Sequence, residues 1–528
     1  MPRSKSTKKT EPPLVHQGAA GIDIGSRFHV VAVPSTYSEQ PVQKFSSFTG
    51  DLKRLRDWLC EHNIQTVAME STGIYWIPVY EILQEAGLDV FLVNARHARC
   101  VPGRKSDISD AQWLQKLHSW GLLRPSFQPD EGVTNLRTMM RLRESLVKGK
   151  ASHQQRIQKA LMQMNLQLHH VVNDVMGKTG RLIIDAILSG ERDPEALARL
   201  RDRRCKNAES VIAEALHGHF REDHLFELSI AVRMFDEYHQ RVLECEAKAQ
   251  ELLSRLAAQS KDPKREPSAH IKRKRKSEFS FDPTDLINTL AGVDLGNIYG
   301  VGPGNLLTIV SECGTDMEKW PTAKHFTSWL GLAPQNKVSG GRVLSSRIRP
   351  GASRAASAFW MAALIASRSS TALGAFSRRL AVRRGKQKAH AATARKLAEI
   401  FYRSIRYGRS YADPGTNTYE EKQKDLEIAR LTRKARLLGF DLVGKQPLEP
   451  TSPAVQCPTT IRLRGRAKQV DRSAGVALNP VAMRRAPGHA CSPHRSTDCA
   501  VHVQTTSRQP PGGGCRCGGH FGEQCPPD

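Results

Sequence analysis

The sequence predicts an α/β domain built on a mixed sheet, followed by a long all-α region and a second, mostly helical domain. Three observations carry this. Residues 20–121 alternate short apolar runs with amphipathic helical stretches. From Asn135 to Leu168 and again from Leu228 to Leu256 the apolar residues fall three or four apart, the coiled-coil period. Beyond Leu286 apolar helical stretches continue almost without strand patterning.

In chain order, Ala20 to Gly25 reads as a buried strand carrying Asp23, Phe28 to Val33 as a second strand and Gln43 to Phe48 as a third at a sheet edge. Asp51 to Glu61 has helical spacing, Ile64 to Met69 is a strand ending on Glu70, Tyr75 to Ala86 is a helix stopped by Gly87, and Asp89 to Val93 is a fifth strand. Three antiparallel strands followed by two crossover units form a mixed sheet in which the first and fourth strands can be neighbours. Asp23 and Glu70 would then meet at one end.

Asp107 and Asp110 lie three apart at the start of the next helix, behind Arg104 and Lys105. Residues so spaced share a helix face. Two converging carboxylates repel unless a cation lies between them, and a hard divalent metal suits oxygen ligands. Taken alone, the pair reads first as an acidic first turn complementing the helix dipole; with Asp23 and Glu70 it makes four carboxylates around one site.

The 528 residues carry a formal net charge of +27, which favours a polyanionic partner. No apolar run is long enough for a transmembrane helix, so a cytoplasmic protein is expected. Cys60, Cys100, Cys205, Cys245 and Cys313 are scattered without metal-ligand spacing, as in a reduced compartment. The domain boundaries expected are a disordered basic arm at 1–19, the sheet domain at 20–125, a helical coiled-coil stalk at 126–260, a basic linker at 261–285, a C-terminal domain at 286–443 and a disordered low-complexity tail at 444–528. The two seams read as an antiparallel helical hairpin with an inserted bundle that also dimerises; the first has one gap in its spacing at Gly149-Lys150, and the charged outer faces suit solvent or nucleic acid. His153, His169 and His170 read as solvated helix-face residues, because nothing completes a metal set.

In the C-terminal domain, Ile298 to Gly304 resembles a helix-hairpin-helix turn, with Gly300 and Gly302 bringing the backbone close to a phosphate; a tight helix connection is the equal alternative. Ser339 stands in an expected exposed, glycine-flanked loop, Val338-Ser339-Gly340-Gly341-Arg342, with Arg342, Arg347, Arg349 and Arg354 near it in sequence. Serine needs help to become a nucleophile, and arginines suit a phosphate gaining charge.

The order of elements and acids resembles the RNase H-like fold of the RuvC type. Two runs are more specific: Met69-Glu70-Ser71-Thr72-Gly73-Ile74-Tyr75-Trp76, and Val101-Pro102-Gly103-Arg104-Lys105-Ser106-Asp107-Ile108-Ser109-Asp110. They resemble the DEDD transposases of insertion sequences, the IS-one-ten family and its eleven-eleven subgroup, and Leu330 to Ser345 resembles that family's C-terminal motif. The resemblance covers about Gly21 to Val443. It implies Mg²⁺ on Asp23, Glu70, Asp107 and Asp110, Ser339 as a nucleophile forming a phosphoserine link to DNA, a composite site across protomers of a homo-oligomer joined through the coiled coil, and a noncoding bridge RNA that selects the target. The rival readings are a metal nuclease of the Holliday-junction resolvase type, with Ser339 structural, and a nucleic-acid-binding protein without catalysis.

Overall fold

A computed structural model describes residues 13–94, 110–259, 279–348 and 353–443. Arg104, Lys105, Asp107 and Arg349, most of the basic linker and the tail at 444–528 lie outside the described residues.

The five N-terminal strands are β1 (Ala19–Ile24), β2 (Phe28–Ala32), β3 (Val42–Ser46), β4 (Thr66–Glu70) and β5 (Asp89–Val93), in the sheet order β3-β2-β1-β4-β5. β1 and β2, and β2 and β3, pair antiparallel; β1 and β4, and β4 and β5, pair parallel. Because strand side chains alternate between faces, Ile22, Ile24, Val67 and Met69 share one face. There they form a core with Leu52, Leu55 and Leu59 of α1 (Thr49–Glu61) and Val79 and Leu83 of α2 (Trp76–Glu85). The opposite face packs Ala68 and Val93 on Trp113, Leu114 and Leu117 of α3 (Asp110–Ser119). Contact there is very close: a Cβ on Gly21 would lie 2.3 Å from both the Ala111 carbonyl oxygen and the Gln115 nitrogen. Val15 and His16 donate their N–H groups to the Ser119 carbonyl at 2.7 and 3.0 Å. The last residues of the expected arm are therefore docked on α3 rather than free of the fold; their polar surroundings in sequence hid this.

α4 (Glu131–Gln163) and α9 (Glu222–Ala258) run antiparallel, as the pairs Gly132 with Leu256, Arg143 with Glu246, and Gly149 with Tyr238 require. At one end, Ile157, Leu161, Leu228 and Phe235 share a core with the short helices α5 (Leu168–Val171), α6 (Lys178–Leu188), α7 (Pro194–Arg199) and α8 (Glu209–Ala215). At the other, Leu136, Met140, Ala249 and Leu253 belong to the core of the C-terminal helices. Much of the apolar seam expected to join two chains is thus covered within this one. The spacing gap at Gly149 does not interrupt α4; the glycine makes room for the Tyr238 ring. His153 is buried beside that ring, centroids 5.3 Å apart, and not solvated as expected.

The C-terminal helices are α10 (Thr284–Ala291), α11 (Pro303–Cys313), α12 (Ala323–Trp329), α13 (Arg354–Ser367), α14 (Ala372–Arg384), α15 (Lys386–Tyr407) and α16 (Gly415–Leu437). The end of the expected linker is docked: Arg143 lies over the Phe279 ring, and Ser280 N–H donates to buried Glu246 at 2.7 Å. Between the acidic domain and this core, Ser126 N–H donates to the Leu92 carbonyl at 2.7 Å, while the neighbouring Phe127 ring packs on Trp320 and Trp329.

Two predictions follow from the α3 contact. Gly21→Ala puts a methyl group into backbone and should cost about 3 kcal/mol in denaturant unfolding. His118 on α3 is buried, 2.8 Å from the Thr66 hydroxyl, with its Nδ1 unpartnered. Burial first, then the adjacent His16, pulls its imidazole down to about 4. The unfolded chain protonates His118 near 6.5 and the folded chain does not, so stability should fall as pH drops from about 6.5 to about 4 and level off below. His118→Gln should flatten that part of the wild-type stability–pH curve.

Candidate active site

The acidic half of the site follows from strand register. Ile22 of β1 lies abreast of Met69 of β4 in the parallel pair. One residue further along both strands, Asp23 comes abreast of Glu70. Alternation turns both away from the core of α1 and α2, toward the face that α3 covers. α3 runs opposite to β1, because its last residue, Ser119, meets Val15 and His16 ahead of the strand. Its first residue, Asp110, therefore stands at the end where β1 delivers Asp23. Asp23 and Glu70 are half-buried and Asp110 is exposed. The turn leaving β4 is held by Ser71 N–H donating to the Val93 carbonyl at 3.0 Å and Thr72 N–H to the Glu70 carbonyl at 2.9 Å.

Carboxylates without thiol or imidazole partners are the donor set of a hard divalent cation, so the residues fit such an ion in kind. Among the described residues no three His, Cys, Asp or Glu side chains are gathered into a group that could hold a metal. The sequence-expected fourth acid, Asp107, lies outside the described residues, as do Arg104 and Lys105.

Ser339 does not sit in a loop. It ends β6 (Lys337–Ser339), which pairs antiparallel with β7 (Arg342–Ser345), Ser339 directly opposite Arg342. Gly340 and Gly341 connect the strands with φ of 54° and 74°. A two-residue connection with both φ positive is the type I′ hairpin turn, whose twist matches that of the strands. Gly-Gly between two short β-capable runs is its sequence signal. The hairpin stands out from the body: Ser339 and Arg342 are exposed, and Val338, Val343 and Leu344 are more than half exposed. At its base, Gln335 N–H donates to the Arg347 carbonyl at 3.0 Å. Arg354 is committed elsewhere, its guanidinium bonded to Glu144 of α4. Lys148 and Arg354 together hold the Glu144 carboxyl below its ordinary value. Of the arginines expected around the serine, Arg342 is its cross-strand neighbour, Arg347 lies at the hairpin base, Arg354 ties α13 to α4, and Arg349 is outside the described residues.

The glycine turn ahead of α11 also has a packing explanation. Gly300 has φ of 90°, and a Cβ there would lie 2.4 Å from the Ala362 carbonyl oxygen of α13. Its bare backbone is needed against a neighbouring helix. Gly302 precedes Pro303 at the start of α11, and its carbonyl accepts from Leu306 N–H at 2.9 Å. Sequence reading missed the buried Arg143–Glu246 pair (2.6 Å), whose partners are far apart in the chain.

A mixed sheet of this order, with acids at the ends of adjacent parallel strands, is consistent with an RNase H-like domain. Residues 20–166 match the DEDD transposase family of the IS110 type, and residues 294–378 match the transposase IS116/IS110/IS902 family. No curated protein matches the chain. Fold and matches together define a DNA transposase, an enzyme that cuts and rejoins DNA. Both matched stretches are similar to insertion-sequence transposases of the IS110 type.

Gly340→Ala with Gly341→Ala should destabilise the hairpin by about 1 kcal/mol or more per residue, because each alanine must hold positive φ. Amide exchange across 337–345 should accelerate at least about tenfold, while the midpoint of thermal unfolding stays put, since the hairpin is not part of a buried core.

Proposed function

We propose that this transposase is a serine recombinase whose acidic site and Ser339 act on the same DNA phosphodiester. The Ser339 hydroxyl loses its proton and its oxygen bonds to phosphorus; the bond to the departing sugar oxygen breaks, and that oxygen leaves as a hydroxyl once protonated. The phosphodiester is kept as a phosphoserine link, so a second strand's hydroxyl can displace the serine without nucleotide hydrolysis. Arg342, directly across the hairpin from Ser339, is placed to neutralise charge gathering on the phosphate. Asp23, Glu70 and Asp110, with Asp107, would hold Mg²⁺. When bound it would stabilise charge on the reacting phosphate and lower the cost of generating the attacking oxygen.

The observation that carries this reading is the strand register that sets Asp23 beside Glu70 under the helix that Asp110 opens. The exposed hairpin supports the serine half, since a nucleophile for a duplex must be reachable. The resemblance to the eleven-eleven subgroup extends the proposal to a bridge RNA that selects the target, to a homo-oligomer in which the acids of one protomer meet the serine of another, and to a cytoplasmic, nucleoid-associated place of action. The domain limits proposed are 20–125 for the acidic domain and 286–443 for the serine domain, with the helical hairpin between them. Among the described residues no helix is long and apolar enough to cross a membrane.

The test is covalent trapping: protein, element-end DNA, flanking RNA and Mg²⁺, resolved on a denaturing gel. A protein–DNA adduct is expected for the wild type and should drop at least about 1,000-fold in Ser339→Ala and in Asp23→Ala. Nicked DNA without an adduct, insensitive to Ser339→Ala, would leave a plain metal nuclease instead.

A further inference from the structure

The turn between α14 and α15 concentrates charge in a way the fold does not use. Residues 382–388, Val-Arg-Arg-Gly-Lys-Gln-Lys, are all exposed, and Val382 is 90% exposed. Gly385 makes the turn at φ of 87° and caps α15. Most other basic side chains on these helices have partners, the exposed Arg403 apart. Arg378 donates to the Ser367 and Ser369 carbonyls, Arg379 to Gln423, Arg395 pairs with Glu399 and Arg406 with Glu318. Lys396 lies over the Phe376 ring. Arg383, Arg384, Lys386 and Lys388 form no ion pair among the described residues. The carboxylate whose field Arg383 reaches, Glu427, is already bonded to Arg430.

Arg383 and Arg384 close α14, where cations suit the negative end of the helix dipole. Lys386 and Lys388 are placed the wrong way round. They occupy the first turn of α15, the positive end, with no acid in that turn to offset them. Local rules broken without a compensating contact mark sites kept for something other than stability. Four unpaired cations on one exposed turn call for a polyanion, and this chain acts on one. The turn lies beyond residue 378, where the second family match ends.

We propose that Arg383, Arg384, Lys386 and Lys388 form a clasp for the phosphate backbone of a nucleic-acid strand, a contact additional to the Ser339 hairpin. The inference rests on reading the chain as a nucleic-acid enzyme. The clasp reads charge and not sequence: side chains of this kind position a backbone and carry no base information.

The experiment measures full-length protein binding to a random-sequence DNA duplex and to a random-sequence RNA hairpin over a range of salt concentrations. The variant with all four residues changed to Ala should lose up to about 3.6 from the log–log salt slope on the duplex, at about 0.9 per phosphate contact. A larger loss on the RNA than on the duplex, relative to wild type, would assign the clasp to RNA; the reverse would assign it to DNA. Thermal unfolding of Lys386→Glu with Lys388→Glu supplies the control, because acids in that turn suit the dipole: the midpoint should rise while binding weakens. An unchanged slope in a variant that still binds overturns the clasp and leaves the recombinase reading standing. Weakened binding together with a lowered unfolding midpoint in the glutamate variant also overturns it, by making the lysines structural. A wild type with no salt-dependent binding to either probe overturns both readings.

Discussion

Two glycines govern how closely the long helices can run. A Cβ on Gly132 would lie 2.5 Å from Leu256, and one on Gly149 would lie 2.4 Å from the Tyr238 ring. With no side chain at either place, α4 and α9 pack tightly from end to end, and each end of the pair enters a different core. The middle of the pair is polar where it meets the C-terminal domain: Arg143 with Glu246, and Glu144 with Arg354. Arg137 reinforces the joint from the same helix, donating to the Glu312 carbonyl at 2.6 Å, and Arg141 grips the Glu312 carboxylate with two hydrogen bonds. Of these pairs, Arg143–Glu246 is largely buried, whereas Glu144–Arg354 is partly exposed and adds little stability.

The acidic domain depends on a different close approach. Gly21 lets α3 lie almost on the backbone of β1, and that approach brings the start of α3 to the strand end carrying Asp23. The residue that does this has no chemistry of its own. It sits two places from a candidate metal ligand and sets where the opposing ligand begins.

Much of this was legible in the chain. Four of the five N-terminal strands were readable as compact apolar runs between turn signals, β3 as a more polar edge strand, and the β1–β4 neighbourhood followed from the connections. The placement of Asp23 beside Glu70 then needed only the period of a strand. Other features were hidden by distance or brevity. His153 looks solvated until Tyr238, on another helix, covers it. The pairing of Arg354 with Glu144, 210 residues away, left no trace in the local sequence. The β6–β7 hairpin has strands of three and four residues, too short for periodicity to register, although its Gly-Gly turn was in plain view. The close approach of Gly300 to the Ala362 carbonyl was hidden because α13 lies some sixty residues further along the chain. Asp107 stands outside the described residues, so the carboxylate set rests on three positions and one expectation.

The short strap at Ser126 and Phe127 joins the two halves in adjacent residues: one is hydrogen-bonded to the edge strand of the acidic domain, the other wedged among the tryptophans of the serine domain. The two halves consequently form a matched set rather than interchangeable modules. A chimera that takes its acidic domain from one relative and its serine domain from another inherits a mismatched seam unless the strap and its tryptophan seat travel together. Recombination between insertion sequences would therefore be tolerated at crossover points that leave this seam whole, and lineages should trade the halves less freely than their separation along the chain suggests.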